Sequence, residues 1–242
     1  MKICVAQASP ARGSIEQNIG NHIKLIGLAV SHRAELIVFP ELSLTGYEPL
    51  LAKELAIDAG DARLVPFQLL SDAHNIIIGV GAPTKSGNAV AISMVIFQPG
   101  QPRQTYSKKY IHADEEPYFI GASCFTGLLG GSARIAPAIC YELSVPEHAA
   151  QASRAGAKIY IASVSKLVRG IDKALDRLAE IARTYSLTVL MSNQTGLAEG
   201  EVCAGKTSVW NSKGDLAGQL DDLREGILMI DTDTQEITEH YM

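Results

Sequence analysis

A glutamate, a lysine and a cysteine draw attention because each lies at the end of a strand-like segment, apolar before Glu41 and Cys140. Glu41 lies in Phe39-Pro40-Glu41-Leu42-Ser43-Leu44-Thr45-Gly46-Tyr47, Lys108 in Tyr106-Ser107-Lys108, and Cys140 in Ile139-Cys140-Tyr141-Glu142. A cysteine needs a base to become a thiolate, and a carboxylate held beside it in a partly dry pocket can take that proton. An oxyanion needs a fixed positive partner. Thiol, carboxylate and ammonium would together supply nucleophile, proton shuttle and oxyanion stabiliser with neither metal nor cofactor. Each residue also has an ordinary explanation: a surface acid after a strand for Glu41, a solvated edge-strand charge for Lys108, inert packing for Cys140.

Those side chains need elements that end together. Residues 2–8 read as a buried strand, and Ser14-Ile15-Glu16-Gln17 as a capping box opening an amphipathic helix to about residue 34. Residues 35–39 read as a second buried strand, so a right-handed βαβ unit and a largely parallel sheet follow. Residues 49–74 are read as mostly helical. Residues 76–80 and 89–97 read as a hairpin joined across residues 85–88, with a strand ending at 105–108 and another over 133–140. A turn containing Pro146 and a short helix come next. The second half alternates again: strand 158–164, helix 172–185 with Leu175, Leu178, Ala179 and Ala182 on one face, and strand 188–192. Strands 207–210 and 226–230, with a turn at 211–215, complete an α/β pattern read as one domain over residues 1–242. In open α/β sheets sites gather outside the carboxyl ends of the strands, which is where Glu41, Lys108 and Cys140 fall.

Composition narrows the function classes. The chain has 242 residues, 47% hydrophobic, and a net charge of −5, with no basic run longer than Lys108-Lys109, so a nucleic-acid partner is not expected. No stretch approaches the roughly 20 apolar residues that span a bilayer, and the N-terminus lacks a signal-peptide core; a cytoplasmic location away from membranes is expected. Cys4, Cys124, Cys140 and Cys203 are far apart, without metal-ligand spacing, and Cys4, Cys124 and Cys203 are read as inert. The six histidines are scattered and read as surface or satisfied polar groups. Gly200-Glu201-Val202-Cys203-Ala204-Gly205-Lys206-Thr207 matches the pattern of a phosphate-binding loop. Such a loop needs a preceding strand and a helix starting at its Lys-Thr, whereas Ser208-Val209-Trp210 reads as strand. The match is read as accidental, a loop entering a strand, and a nucleotide-binding protein using Gly200 to Thr207 is kept as the alternative from a different class.

The ordered set F-P-E-x-x-x-T-G-Y, Y-x-K and I-C-Y-E resembles the three catalytic motifs of the carbon-nitrogen hydrolase (nitrilase) superfamily, over residues 2 to about 231. The resemblance implies a four-layer α-β-β-α sandwich, two mixed sheets with helices outside, often paired as a homodimer or higher homo-oligomer. It assigns Glu41 as general base, Lys108 as the lysine that steadies the tetrahedral intermediate, and Cys140 as nucleophile. It gives the Tyr141 N–H as a second oxyanion donor. By its distance from Lys108, Glu116 takes the place of the supporting glutamate, with Glu115 as rival if the register is off by one. Tyr47, Tyr141 and Glu142, in the same motifs, are assigned to substrate. Tyr110 stands where many members have His and Ser107 where Arg is common, which bears on substrate choice more than on activity; Ser163-Val164-Ser165 lacks a frequent tryptophan, which bears on the pocket walls and oligomer contacts. The implied reaction is hydrolysis of a small amide, with N-carbamoyl compounds next and nitriles last. An attached synthetase domain fed with ammonia is not indicated.

Overall fold

Strand β1 (Lys2–Gln7) is apolar from Ile3 to Ala6 because both its faces are covered there: Ile3 and Val5 belong to one core cluster, Cys4 and Ala6 to another. The computed structural model describes residues 1–58, 60–122 and 127–242. Cys124 lies outside the described residues. After β1 come α1 (Ile15–Ser31), β2 (Leu36–Val38), α2 (Ala52–Leu55), α3 (Val65–His74), β3 (Ile77–Ser86), β4 (Ala89–Phe97) and β5 (Gln104–Ser107). The second half runs β6 (Ile135–Ile139), α4 (Pro146–Arg154), β7 (Ile159–Ser163), α5 (Ile171–Tyr185), β8 (Thr188–Ser192), β9 (Leu197–Ala198), β10 (Glu201–Val202), β11 (Ser208–Trp210), β12 (Leu216–Gln219), β13 (Gly226–Asp231) and β14 (Ile237–Tyr241).

The strands form two mixed sheets, β14-β13-β1-β2-β3-β4-β5 and β12-β11-β8-β7-β6, beside a small β9-β10 hairpin. β1, β2 and β3 run parallel, as do β6, β7 and β8, each trio joined by helical crossovers, while the outer strands are antiparallel. The largely parallel sheet read from the local βαβ pattern is thus corrected, since antiparallel outer strands make both sheets mixed, and the two mixed sheets that the resemblance implies are present. One core cluster fills the space between the sheets, with Ile3, Val38 and Met94 against Ile139, Ile161 and Leu190, and continues to α5 through Leu178 and Ile181; the other lies between the first sheet and α1 and α3, with Leu25, Ile26 and Phe67. This is the α-β-β-α sandwich of the nitrilase fold.

Several local expectations change. α1 begins at Ile15, yet Ser14 makes no side-chain cap; Asn18 instead accepts from the Ala11 N–H at 2.7 Å and donates to the Ala11 and Leu44 carbonyls. Residues 49–74 break into α2, α3 and two 3₁₀ turns instead of one long helical stretch. The β3–β4 hairpin closes on Gly87 and Asn88, with Gly87 at φ +60°. The edge strand β14 was not anticipated.

The sheets are pinned together at the carboxyl ends of their parallel strands. Ser163 Oγ donates to the Phe39 carbonyl at 2.8 Å and Ser192 Oγ to the Ala6 carbonyl at 2.6 Å. β5 lies two antiparallel steps from β3 and so runs parallel to it. The ends of β2, β5, β6 and β7 therefore open on the same edge. Among the described residues, no helix is long and apolar enough to cross a membrane.

Candidate active site

Glu41 follows β2 in a tight loop that α1 and β3 hold from two sides. The Leu44 N–H donates to the Gly81 carbonyl at 2.9 Å, and Asn18 Nδ2 to the Leu44 carbonyl at 2.9 Å. His22 Nδ1 lies 2.6 Å from the Asn18 carbonyl, an acceptor, so this nitrogen carries the proton and Nε2 accepts from Ser43 Oγ at 2.9 Å. Burial pushes the His22 pKa down to about 4, consistent with that neutral form. Gly81 is required by closeness: a Cβ there would lie 2.2 Å from the Pro40 oxygen and 2.6 Å from the Leu42 nitrogen.

Lys108 follows β5, its N–H bonded to the Ile92 carbonyl at 2.8 Å. Its side chain is fully buried, and its ammonium donates to Glu41 Oε1 at 2.8 Å and to Glu115 Oε1 at 2.7 Å. Burial opposes this charge, but Glu41, Cys140 and Glu115 outweigh it and hold the lysine above its ordinary value. A lysine has three donors, so one N–H remains after these two bonds. Glu41 in turn is pushed above the ordinary carboxylate range by burial, against the pull of Lys108, and its Oε2 has no hydrogen-bond partner among the described residues.

Cys140 terminates β6 with φ +41°, a conformation that non-glycine residues adopt only under constraint, and opens a 3₁₀ turn over Cys140–Ser144. The sharp change from strand to turn brings its thiol to the Glu41 carboxylate and leaves it at a pocket of about 220 Å³. Burial and the Glu41 charge push the thiol pKa up, while Lys166 and Lys108 pull it down. Tyr47, Glu115, Tyr141 and Lys166 line the same pocket. A larger hollow of about 680 Å³ is bordered by Ile77, Ile159 and Thr188, at the opposite, amino ends of the parallel strands, and none of its lining residues is a cysteine.

Glu41, Lys108 and Cys140 are therefore brought together, with Tyr47 and Tyr141 beside them, and two other expected site residues are not. Glu116 is exposed and lines a different hollow with Pro49 and Tyr118. The carboxylate that reaches Lys108 is Glu115, which is 3% exposed and also accepts from Tyr47 Oη at 2.8 Å and from the His112 N–H at 2.9 Å. The loop folds back on itself, the Phe119 N–H donating to the Glu115 carbonyl, and this turns Glu115 inward and Glu116 out. Glu142 is fully buried away from the pocket. It accepts from Tyr106 Oη at 2.5 Å, from the Ile139 N–H at 2.8 Å and from the Lys109 N–H at 2.7 Å. It thus ties the β5 end bearing Lys108 to the β6 end bearing Cys140, and has no oxygen free for a substrate.

The phosphate-loop pattern at residues 200–207 does not build a phosphate cradle. No helix follows it, and its amides are occupied: Gly205 N–H on the Gln194 carbonyl at 3.0 Å, Lys206 N–H on the Asp221 carbonyl at 3.1 Å, Thr207 N–H on Gln7 Oε1 at 3.0 Å. Lys166 was missed by sequence reasoning. The available signal was its position after β7, at the same end of the sandwich as the three motifs.

A carbon-nitrogen hydrolase family model matches residues 2–241. The glutamine-dependent NAD(+) synthetase of Xylella fastidiosa is 28% identical over 88% of the chain, and the chain spans 41% of that protein's length. An (R)-stereoselective amidase from a Pseudomonas species is 26% identical over 85% of the chain and 75% of its own length. Among solved structures, the amidase from Nesterenkonia sp. AN1 superposes with a TM-score of 0.85 at 19% identity, covering 96% of this chain and 89% of the other; that structure shows covalent addition of the acetamide moiety of fluoroacetamide at its active-site cysteine. Motifs, fold and family match coincide along nearly the whole sequence: the chain belongs to the carbon-nitrogen hydrolase family.

Proposed function

We propose that this chain, as one catalytic domain, hydrolyses the C–N bond of a small polar amide through a thioester on Cys140. The observation that carries the proposal is the buried Glu41–Lys108–Glu115 cluster placed against the Cys140 thiol. Glu41 takes the thiol proton and the sulfur attacks the carbonyl carbon. The free Lys108 N–H and the Tyr141 N–H, at the start of a helical turn where amides lack intrahelical acceptors, hold the oxyanion. As the C–N bond breaks, Glu41 returns the proton to the leaving nitrogen and ammonia or an amine departs. Glu41 then deprotonates water, which attacks the thioester; the C–S bond breaks, releasing the carboxylic acid and restoring the thiol. Glu115 keeps Lys108 charged and aimed.

Pocket size and lining support a small acyl group. About 220 Å³ lies below the range of roughly 300–1,000 Å³ typical of larger ligands. Asp114, Glu199 and Arg169 at its wall suit a polar amide better than an aromatic nitrile, and charges of both signs favour, as a second reading, the side-chain amide of an amino acid such as glutamine. N-carbamoyl compounds remain a further class that the same groups would serve. We also propose a cytoplasmic homodimer, tested by light scattering for the assembly and by fractionation for the location.

The test is ammonia release from a panel of small amides, amino-acid amides, carbamoyl compounds and nitriles, followed together with intact-protein mass. Wild type should release ammonia and show a transient acyl adduct on the Cys140 peptide, and Cys140→Ala should do neither. Turnover by Cys140→Ala equal to wild type would overturn the mechanism.

A further inference from the structure

We propose that Lys166 is the counter-cation of the Cys140 thiolate, a second lysine serving the nucleophile itself; this rests on the thiol chemistry proposed above. Lys108 cannot fill that place alone, because both Glu41 and Glu115 already engage it, two carboxylates on one ammonium. A thiolate formed beside this cluster needs another positive charge in a site where uncompensated charge is costly. Lys166 lines the same pocket as Cys140 and lies close enough for its ammonium to interact with the sulfur. No carboxylate among the described residues forms an ion pair with Lys166, although its side chain is half-buried.

The backbone under Lys166 is clamped. Its N–H donates to Asn193 Oδ1 at 2.8 Å, and its carbonyl accepts from the Ala204 N–H at 2.8 Å and from Asn193 Nδ2 at 3.3 Å. Asn193 is itself fully buried and bonded to the Gly205 carbonyl at 2.7 Å. Three residues earlier, Ser163 anchors β7 to Phe39, beside the Glu41 loop. The lysine is therefore delivered to the thiol from the opposite sheet to Glu41 and Lys108.

The charge balance of the first step follows. When the proton moves from the Cys140 sulfur to Glu41, the products form two closed pairs, Lys108 with Glu115 and Lys166 with the thiolate, around a neutral Glu41. Without Lys166 the same transfer leaves the thiolate unpaired. The charged groups that face the sulfur are Glu41, Glu115, Lys108 and Lys166, and the lysines draw its pKa down against burial and the glutamates.

The experiment follows iodoacetamide alkylation of the Cys140 peptide against pH, which needs no substrate. In Lys166→Gln and Lys166→Met, checked for folding by thermal melts, the midpoint for alkylation should rise by about 1 unit or more, the usual scale for losing an adjacent opposite charge, with a roughly tenfold slower rate at neutral pH. Lys166→Arg should stay near wild type. An unchanged midpoint in the folded neutral variants would sink the proposal. Should those variants not fold, ¹³Cε-lysine titrations decide it: the Lys166 resonance should titrate at lower pH in Cys140→Ala than in wild type, and coincident curves would overturn the pairing. Failure of wild type to turn over any amide would instead remove the proposed function, while the alkylation profile would still decide whether Lys166 pairs with the thiolate.

Discussion

Neutralising Glu115 should cripple the reaction while neutralising Glu116 should not, although the two acids are adjacent. Glu115 Oε1 lies 2.7 Å from Lys108 Nζ in a site where both side chains are almost fully buried. At that separation and an effective dielectric of about 20 the gross attraction is roughly 6 kcal/mol. In Glu115→Gln the amide oxygen can still accept from Lys108, so only part of this is lost; about 2–4 kcal/mol in the transition state corresponds to a fall in kcat of roughly 30- to 1,000-fold. There is also a signature in pH. Glu115 helps to hold the Glu41 pKa up, so removing its charge lets that pKa fall, and the acid limb of kcat/KM should move to lower pH. Glu116→Gln alters an exposed acid and should stay within about 0.5 kcal/mol, or roughly twofold. The assay is steady-state ammonia release across pH, with thermal melts to confirm folding. Loss of activity in Glu116→Gln with retention in Glu115→Gln would refute the placement of the supporting carboxylate.

Three further outcomes follow from the structure. Gly81→Ala places a methyl against the Pro40 oxygen and Leu42 nitrogen; overpacking of about 1–3 kcal/mol should lower Tm by several degrees and, by shifting Glu41, cut kcat at least tenfold, so a variant as stable and active as wild type would show that the loop yields freely. In Glu142→Gln one of two buried N–H groups loses its acceptor, at about 1–3 kcal/mol, so chemical denaturation should register lost stability along with reduced kcat; a raised KM with unchanged stability would return Glu142 to the substrate. His22 has its pKa depressed from 6.5 to about 4, so the unfolded chain takes up a proton first as pH falls. Stability is then present above about pH 6.5 and lost between there and 4, by roughly 3 kcal/mol, and melts of His22→Gln should show a flatter dependence over that window than wild type.

Glu41, Lys108 and Cys140 stood out in the sequence as candidates because Glu41 and Cys140 each follow a strand whose apolar run is visible locally, and because their three motifs occur in a known order; the strand before Lys108, Gln104-Thr105-Tyr106-Ser107, is polar and gives no such signal. Apolar strands, α1, α5 and the β3–β4 hairpin were legible for the same reason: periodicity and turn residues are local properties. The absence of a phosphate cradle at residues 200–207 was also readable, since a strand follows where a helix would have to begin. What tertiary structure alone decided is which groups meet. Glu115 and Glu116 differ in sequence by one step, and only the fold of their loop turns one inward and the other to solvent. Glu142 sits in a motif beside Cys140, yet its distant partners Tyr106 and Lys109 make it a tie between strands. Lys166 carries no motif and meets Cys140 only because β7 and β6 lie side by side and Asn193 fixes the chain beyond β7. Periodicity specifies what each segment becomes, while the packing of two sheets against each other determines which charges must share a dry space.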